Sequence, residues 1–187
     1  MSVIESAVAR AAAELHTGRL HFNERRIAAV LFTDIVGSAA HAFRLGDRAW
    51  CELLEEHDDL VRRALDLHDG REIDSSDDGF FASFDGASAA IACAWSIGAA
   101  LAPIGLEVRS GVHAGEFEER GDRLGGIAVA VGARIAGFAA NGEVLVSRTV
   151  RDLVLGSGVR FHDRGLHALK GIPGDWRLYA ALPTGPD

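Results

Sequence analysis

The spacing of hydrophobic and polar positions changes period several times along the chain, and each change predicts an element. Residues 26–32, RIAAVLF, are a continuous apolar run, as expected of a strand buried on both faces. TDIVGS then reads as a turn into a helix. Over 46–68 apolar residues return at three- and four-residue steps: Trp50, Leu53, Leu54, His57, Leu60, Val61, Ala64 and Leu65 fall on one stripe of a helix. Residues 71–84, REIDSSDDGFFASF, read as two short strands turning at Asp78-Gly79. A helix follows over 86–101, capped by Asp85, with Ala90, Ile91, Ala94, Trp95, Ile97 and Leu101 facing inward. Residues 105–116 alternate as a strand, and 117–123, FEERGDR, form a polar excursion. Residues 126–140 make a small-residue helix, 142–147 a strand and RTVRDLV a short helix. VRFHDRGLHALKG and WRLYAAL read as a closing pair of strands.

Strands alternating with helices around a hairpin predict an α+β fold, an antiparallel-rich sheet with helices on one face. The expected organisation is a helical preface over 1–24, one domain over 25–182 and a tail over 183–187. With 187 residues and 48% hydrophobic content, such a domain can bury a real core. The net charge of −8 argues against nonspecific nucleic-acid or anionic-membrane binding. Cys51 and Cys93 sit in helical patterns and suggest no disulfide framework. No signal-peptide pattern opens the sequence, and the apolar run 124–140 is short for a bilayer. The expectation is a cytoplasmic protein without membrane insertion.

Several side chains are candidates for chemistry. Asp34 ends the first buried strand and Asp78 sits at the hairpin turn; in a ferredoxin-like sheet these places are neighbours. Two carboxylates there suit a hard cation such as Mg²⁺, which keeps substrate phosphates as further ligands. The backbone amides of Ile35, Val36, Gly37 and Ser38 would face the anion. The same two residues also suit a helix cap and a turn former. Arg134 is the sole charge between 124 and 140, and either reaches an anion or snorkels to solvent. The chain has eighteen arginines and one lysine, Lys170, which suits either chance or a site wanting a compact ammonium. Glu72 is expected to face solvent, and His57 and His113 to be core or strand-end residues.

LFTDIVGS, LGDRAWCELLEEHDDLVRRAL, GREIDSSDDGFFASF, VRSGVHAGE, GGIAVAVGARI, GEVLVSRTVRDLV and DRGLHALKG occur in that order. Together they resemble the catalytic domain of the class III nucleotidyl cyclases, actinobacterial type, over residues 26–181. The resemblance implies a ferredoxin-like βαββαβ core with a C-terminal strand pair, and a head-to-tail homodimer with active sites at its interface. It implies two Mg²⁺ or Mn²⁺ ions per site, held by Asp34, Asp78 and the Ile35 backbone of one copy. It makes Arg134 of the other copy the transition-state arginine and Lys170 a triphosphate ligand. A nucleoside triphosphate would close to a 3′,5′-cyclic nucleotide with loss of pyrophosphate.

The base pocket departs from the family pattern. The adenine-reading lysine is replaced by Asp74 and its aspartate partner by Arg123, with Asp122 one residue earlier. The ribose-orienting asparagine is Ala130, and the glycine before the second metal aspartate is Asp77. A charge-reversed pair presents different donors and acceptors. Small stand-alone relatives in antiphage systems, which make cyclic UMP or cyclic CMP, also lack the usual pair. The expected substrate is therefore UTP or CTP, against an adenylate cyclase making cyclic AMP and a non-catalytic nucleotide-binding module.

Overall fold

Strand β1 (Arg25–Ile35) pairs antiparallel with β3 (Gly79–Phe84) on one side and with β4 (Val108–Arg120) on the other. In this computed structural model residues 3–9, 25–76, 78–120 and 123–183 are described, with the backbone alone at 119, 120 and 123. Strand β2 (Arg71–Ser76) adds to β3, and β5 (Arg123–Gly125) folds back on the end of β4. Beyond β4 lie β6 (Val144–Ser147), β8 (Asp175–Leu182) and β7 (Arg160–Ala168), giving the order β2-β3-β1-β4-β6-β8-β7. Among the described residues only β4–β6 is parallel. The helices are α1 (residues 3–9), α2 (Ser38–Leu45), α3 (Asp47–Leu67), α4 (Ala87–Leu101), α5 (Ile127–Phe138) and α6 (Arg148–Leu153).

The apolar run of β1 is continuous because both faces are covered. Ala29 and Leu31 pack with Val61 and Leu65 of α3 and with Ile91, Ala94 and Ile97 of α4. Ala28, Val30 and Phe32 pack on the opposite face with Ala128, Val129, Ala133 and Ala136 of α5. Each large side chain buried in this way contributes about 1.5–3 kcal/mol. Phe32 and Phe81 stack on the α5 side, centroids 4.4 Å apart. The small residues of α5 now have a cause: a Cβ at Gly111 of β4 would run into the Ala136 backbone, and one at Gly132 would come 2.9 Å from Val30. Helix and sheet approach this closely only without side chains between them.

Three expectations are corrected. Helices α3, α4 and α6 share one face, but α5 lies on the other, because both faces of β1 are apolar. Residues 117–120 continue β4 and return through β5, since Glu116 and Glu118 pair with Arg25 across the strands. Asp85 does not cap α4: the cap residue is Gly86, and Asp85 turns to solvent within 3.6 Å of Arg26. Glu72 is exposed, as expected, and its carboxylate also accepts from Arg62 of α3, Nε to Oε2 at 3.0 Å. Residues 87–104 are apolar and long enough to cross a membrane, yet Ala90, Ile91, Cys93, Ala94, Ile97 and Leu101 are buried in the core. The preface residues 10–24 and the tail from 184 lie outside the described residues.

Candidate active site

Alternation along β1 puts Asp34 on the face of Val30 and Phe32, at the carboxyl end of the strand, 6% exposed. The β1–β3 register sets Asp34 opposite Gly79, so the hairpin turn carrying Asp78 lies beside it. Ile35 N–H donates to the Asp78 carbonyl at 2.7 Å and fastens the two segments. Gly79 permits the approach, because a Cβ there would collide with the Thr33 carbonyl oxygen. Ser38, the first residue of α2, donates its hydroxyl to Asp78 Oδ2 at 3.0 Å.

Arg109 enters from β4, where it is the register partner of Asp34. Its Nε donates to Asp34 Oδ2 at 2.7 Å, and a second guanidinium nitrogen meets the same oxygen. Burial holds the Asp34 carboxyl above its ordinary value; Arg109 pulls it down, while Asp78 and Glu5 push it further up. Among the described residues no group of three or more His, Cys, Asp or Glu side chains forms a metal cluster. Asp34 and Asp78 nevertheless fit a hard cation whose remaining ligands come from a substrate. Asp34 already holds a cation, the Arg109 guanidinium.

The expected four-amide cradle is corrected. Ile35 N–H is taken by Asp78, and Val36 N–H donates to the Glu107 carbonyl at 2.9 Å. The turn that brings Asp34 and Asp78 together consumes both amides. Gly37 and Ser38, at the start of α2, are the positions whose amides face outward from a helix N-terminus.

Arg134 lies on α5 one turn beyond Ala130, on the face turned away from Gly132 and Ala136. Its Nε is buried and has no hydrogen-bond partner among the described residues. Lys170 is exposed in the turn between β7 and β8, after the buried Leu169. Among the described residues no interaction joins Arg134 or Lys170 to Asp34 and Asp78 within one chain. Asp74 is half-buried on β2 opposite Phe81. The Arg123 backbone pairs with Arg120 on β5, while Asp77 and Asp122 lie outside the described residues. His57 is fully buried against Asp58, Nδ1 to Oδ1 at 3.0 Å. His113 meets Ser147 Oγ at 2.8 Å, and burial lowers it to about 4. Both histidines are core residues.

The sequence reading missed Arg109. In an alternating strand a lone arginine reads as solvent-facing. The signal lay in the face it shares with His113 and Phe117, combined with the antiparallel register to β1.

No protein-family profile matches the chain. It is 29% identical over 157 residues to "Putative adenylate cyclase 3" of Rhizobium meliloti, covering 79% of this chain and 27% of that protein. The chain spans between 27% and 54% of the length of the curated relatives it matches. Among solved structures, the adenylyl cyclase CyaB from P. aeruginosa superposes with a TM-score of 0.77 at 20% identity, over 88% of this chain and 97% of that one. An adenylate/guanylate cyclase/hydrolase from Silicibacter pomeroyi gives a TM-score of 0.71 at 26% identity, over 87% and 99%. With its β2-β3-β1-β4 core and helices on both faces, this chain has the fold of the class III adenylyl and guanylyl cyclase domains.

Proposed function

We propose that the chain is a nucleotidyl cyclase that converts a nucleoside triphosphate into a 3′,5′-cyclic nucleotide and pyrophosphate. The observation that carries this is the bond from Ile35 N–H to the Asp78 carbonyl, which holds the Asp34 end of β1 beside the hairpin turn, with a cationic side chain already on Asp34. Asp34, Asp78 and the Ile35 carbonyl are the groups that would hold the divalent metal ions. Mg²⁺ or Mn²⁺, when bound, supplies Lewis acidity to the ribose 3′-hydroxyl and the phosphates. Ser38 keeps one Asp78 oxygen directed, and the Gly37 and Ser38 amides meet phosphate oxygens. Arg109, released from Asp34, is placed to pair with phosphate.

Arg134 neutralises charge growing on the phosphoryl oxygens, a role suited to its unpaired buried Nε. Arg134 and Lys170 act on a substrate whose metals belong to a second copy, so the working unit is a homodimer. Exposed apolar side chains support that assembly: Phe43 on α2 is 94% exposed and Leu166 on β7 is 64% exposed. In sequence Phe43 follows the Asp34–Ser38 turn and Leu166 precedes Lys170.

The base favoured is a pyrimidine, giving cyclic UMP or cyclic CMP. Asp74 occupies the place of the adenine-reading lysine and offers acceptors where that residue donates. A site built on one hydrogen-bonding pattern discriminates strongly, by up to about 10⁴-fold. Chromatography of the products formed from ATP, GTP, UTP and CTP with Mn²⁺ tests both levels. Cyclic AMP as dominant product removes the pyrimidine assignment. Nucleotide binding without product from any of the four leaves a regulatory module.

A further inference from the structure

Between helix α4 and the adjoining ends of β4, β6 and β8 lies a cavity of about 470 Å³. Its helix wall is Ala94, Trp95, Gly98 and Ala99. Alternation along β4 sends Val108 and Ser110 to the α4 face, opposite to Arg109, and Val144, Ala180 and Ala181 continue the floor. Ala94 and these five sheet residues are all buried, while Ala99, Gly142 and Pro183 are exposed at the mouth, so the floor lies well beneath the surface. Small side chains are the cause: a Cβ at Gly98 would meet no heavy atom within 4 Å.

Charge complementarity selects the occupant. The one ionisable group on the wall, Glu143, accepts from Ala140 N–H at 2.7 Å and pairs with Arg164 at 3.1 Å. Trp95 Nε1–H donates to the Ala181 carbonyl at 3.4 Å. Gly142 N–H donates to the Val108 carbonyl, and Ser110 N–H to the Glu143 carbonyl. A charged ligand would lose its hydration here and gain no counter-charge. The Ser110 hydroxyl can orient a ligand without demanding charge, and the volume suits a drug-sized molecule. Residues 184–187, TGPD, bring no large apolar side chain with which to fill the space.

We propose that this cavity binds an uncharged, mainly apolar small molecule, on the sheet face away from Asp34. The site stands on its own geometry and does not depend on the cyclase reading.

The test uses the full chain and two dyes of one skeleton, uncharged N-phenylnaphthylamine and the anion anilinonaphthalene sulfonate, titrated by fluorescence and calorimetry. The neutral dye is expected to bind one per chain. The anion should bind at least about tenfold more weakly, because its sulfonate gives up water without gaining a partner. Gly98→Leu places a side chain in the cavity and should weaken the neutral dye at least about tenfold. Its melting temperature should stay level or rise, since a helix interior prefers leucine to glycine. Should that variant fail to fold, Gly98→Ala, whose methyl group has room, is expected to show a smaller loss in the same direction. Phe43→Ser removes a 94% exposed apolar side chain elsewhere and should leave dye binding unchanged. Absence of saturable binding by the neutral dye, equal affinity for both dyes, unchanged affinity in the folded Gly98 variant, or loss in Phe43→Ser would each overturn the site. Formation of a cyclic nucleotide, or its absence, bears on the cyclase reading alone.

Discussion

The guanidinium of Arg109 rests on the carboxylate of Asp34, Nε to Oδ2 at 2.7 Å. A divalent cation and this guanidinium compete for the same oxygen. Arg109→Ala is therefore expected to raise Mn²⁺ affinity of the nucleotide-free protein about tenfold, equivalent to ~1.4 kcal/mol. The same substitution lowers turnover by about 100-fold, because the phosphates lose a cation. Paramagnetic titration of free Mn²⁺ reads the first effect and product formation the second. Weaker Mn²⁺ binding by the variant would show that Arg109 does not hold Asp34 away from cations.

Asp34→Asn and Asp78→Asn keep side-chain size while removing charge. Each is expected to lower metal-dependent turnover by about 10²-fold or more. Stability changes little, within ~1 kcal/mol for Asp34→Asn, since Arg109 is 37% exposed and can turn to solvent. Thermal unfolding beside product assays separates the two effects. A collapsed melting temperature with activity lost in proportion would make these residues structural.

The sequence revealed elements wherever one physical cause dominated. The β1 run is apolar throughout because α4 and α5 cover its two faces, and the α3 stripe matches its burial of His57, Val61, Ala64 and Leu65. The Asp78-Gly79 turn was legible because the glycine is sterically required beneath Thr33. What stayed hidden depended on register between distant strands. Arg109 became a site residue only once β4 was aligned with β1, and Glu72 found Arg62 only through the packing of α3 on the hairpin. Local pattern cannot show that Val36 N–H goes to Glu107, so the amide cradle was read too wide.

If Arg134 serves a site whose carboxylates belong to a second copy, two inactive chains should rescue each other. Asp34→Asn and Arg134→Ala are each expected to be nearly inactive alone. Mixed in equal amounts, half the dimers pair unlike chains, and each such dimer holds one intact site. Activity then returns to about one quarter of the native level, as expected for a closed two-fold assembly. Arg134→Ala alone should reduce kcat by about 10²-fold while nucleotide binding changes far less. No rescue on mixing, with heterodimers demonstrated by native mass spectrometry, would place Arg134 in the same site as its own chain's Asp34 or in none.

His113 gives the fold a pH dependence whose sign can be worked out. Its imidazole is 5% exposed, bonded to Ser147 and edge-on to Trp176, and burial lowers it to about 4 from an ordinary 6.5. The native state therefore keeps the ring neutral while the unfolded chain takes up a proton first as pH falls. The stabilisation is complete above pH 6.5 and is lost progressively between 6.5 and 4. The loss reaches ~2 kcal/mol by pH 5 and ~3 kcal/mol in full. Asp34, raised above its ordinary value, contributes in the opposite direction, so the native chain alone does not isolate the effect. His113→Gln keeps a partner for Ser147 and removes the titration. Urea unfolding at pH 7.5 and pH 5 should show the native chain losing ~2 kcal/mol more than the variant over that interval. Equal losses in both proteins would mean that His113 titrates as freely in the folded chain as in the unfolded one.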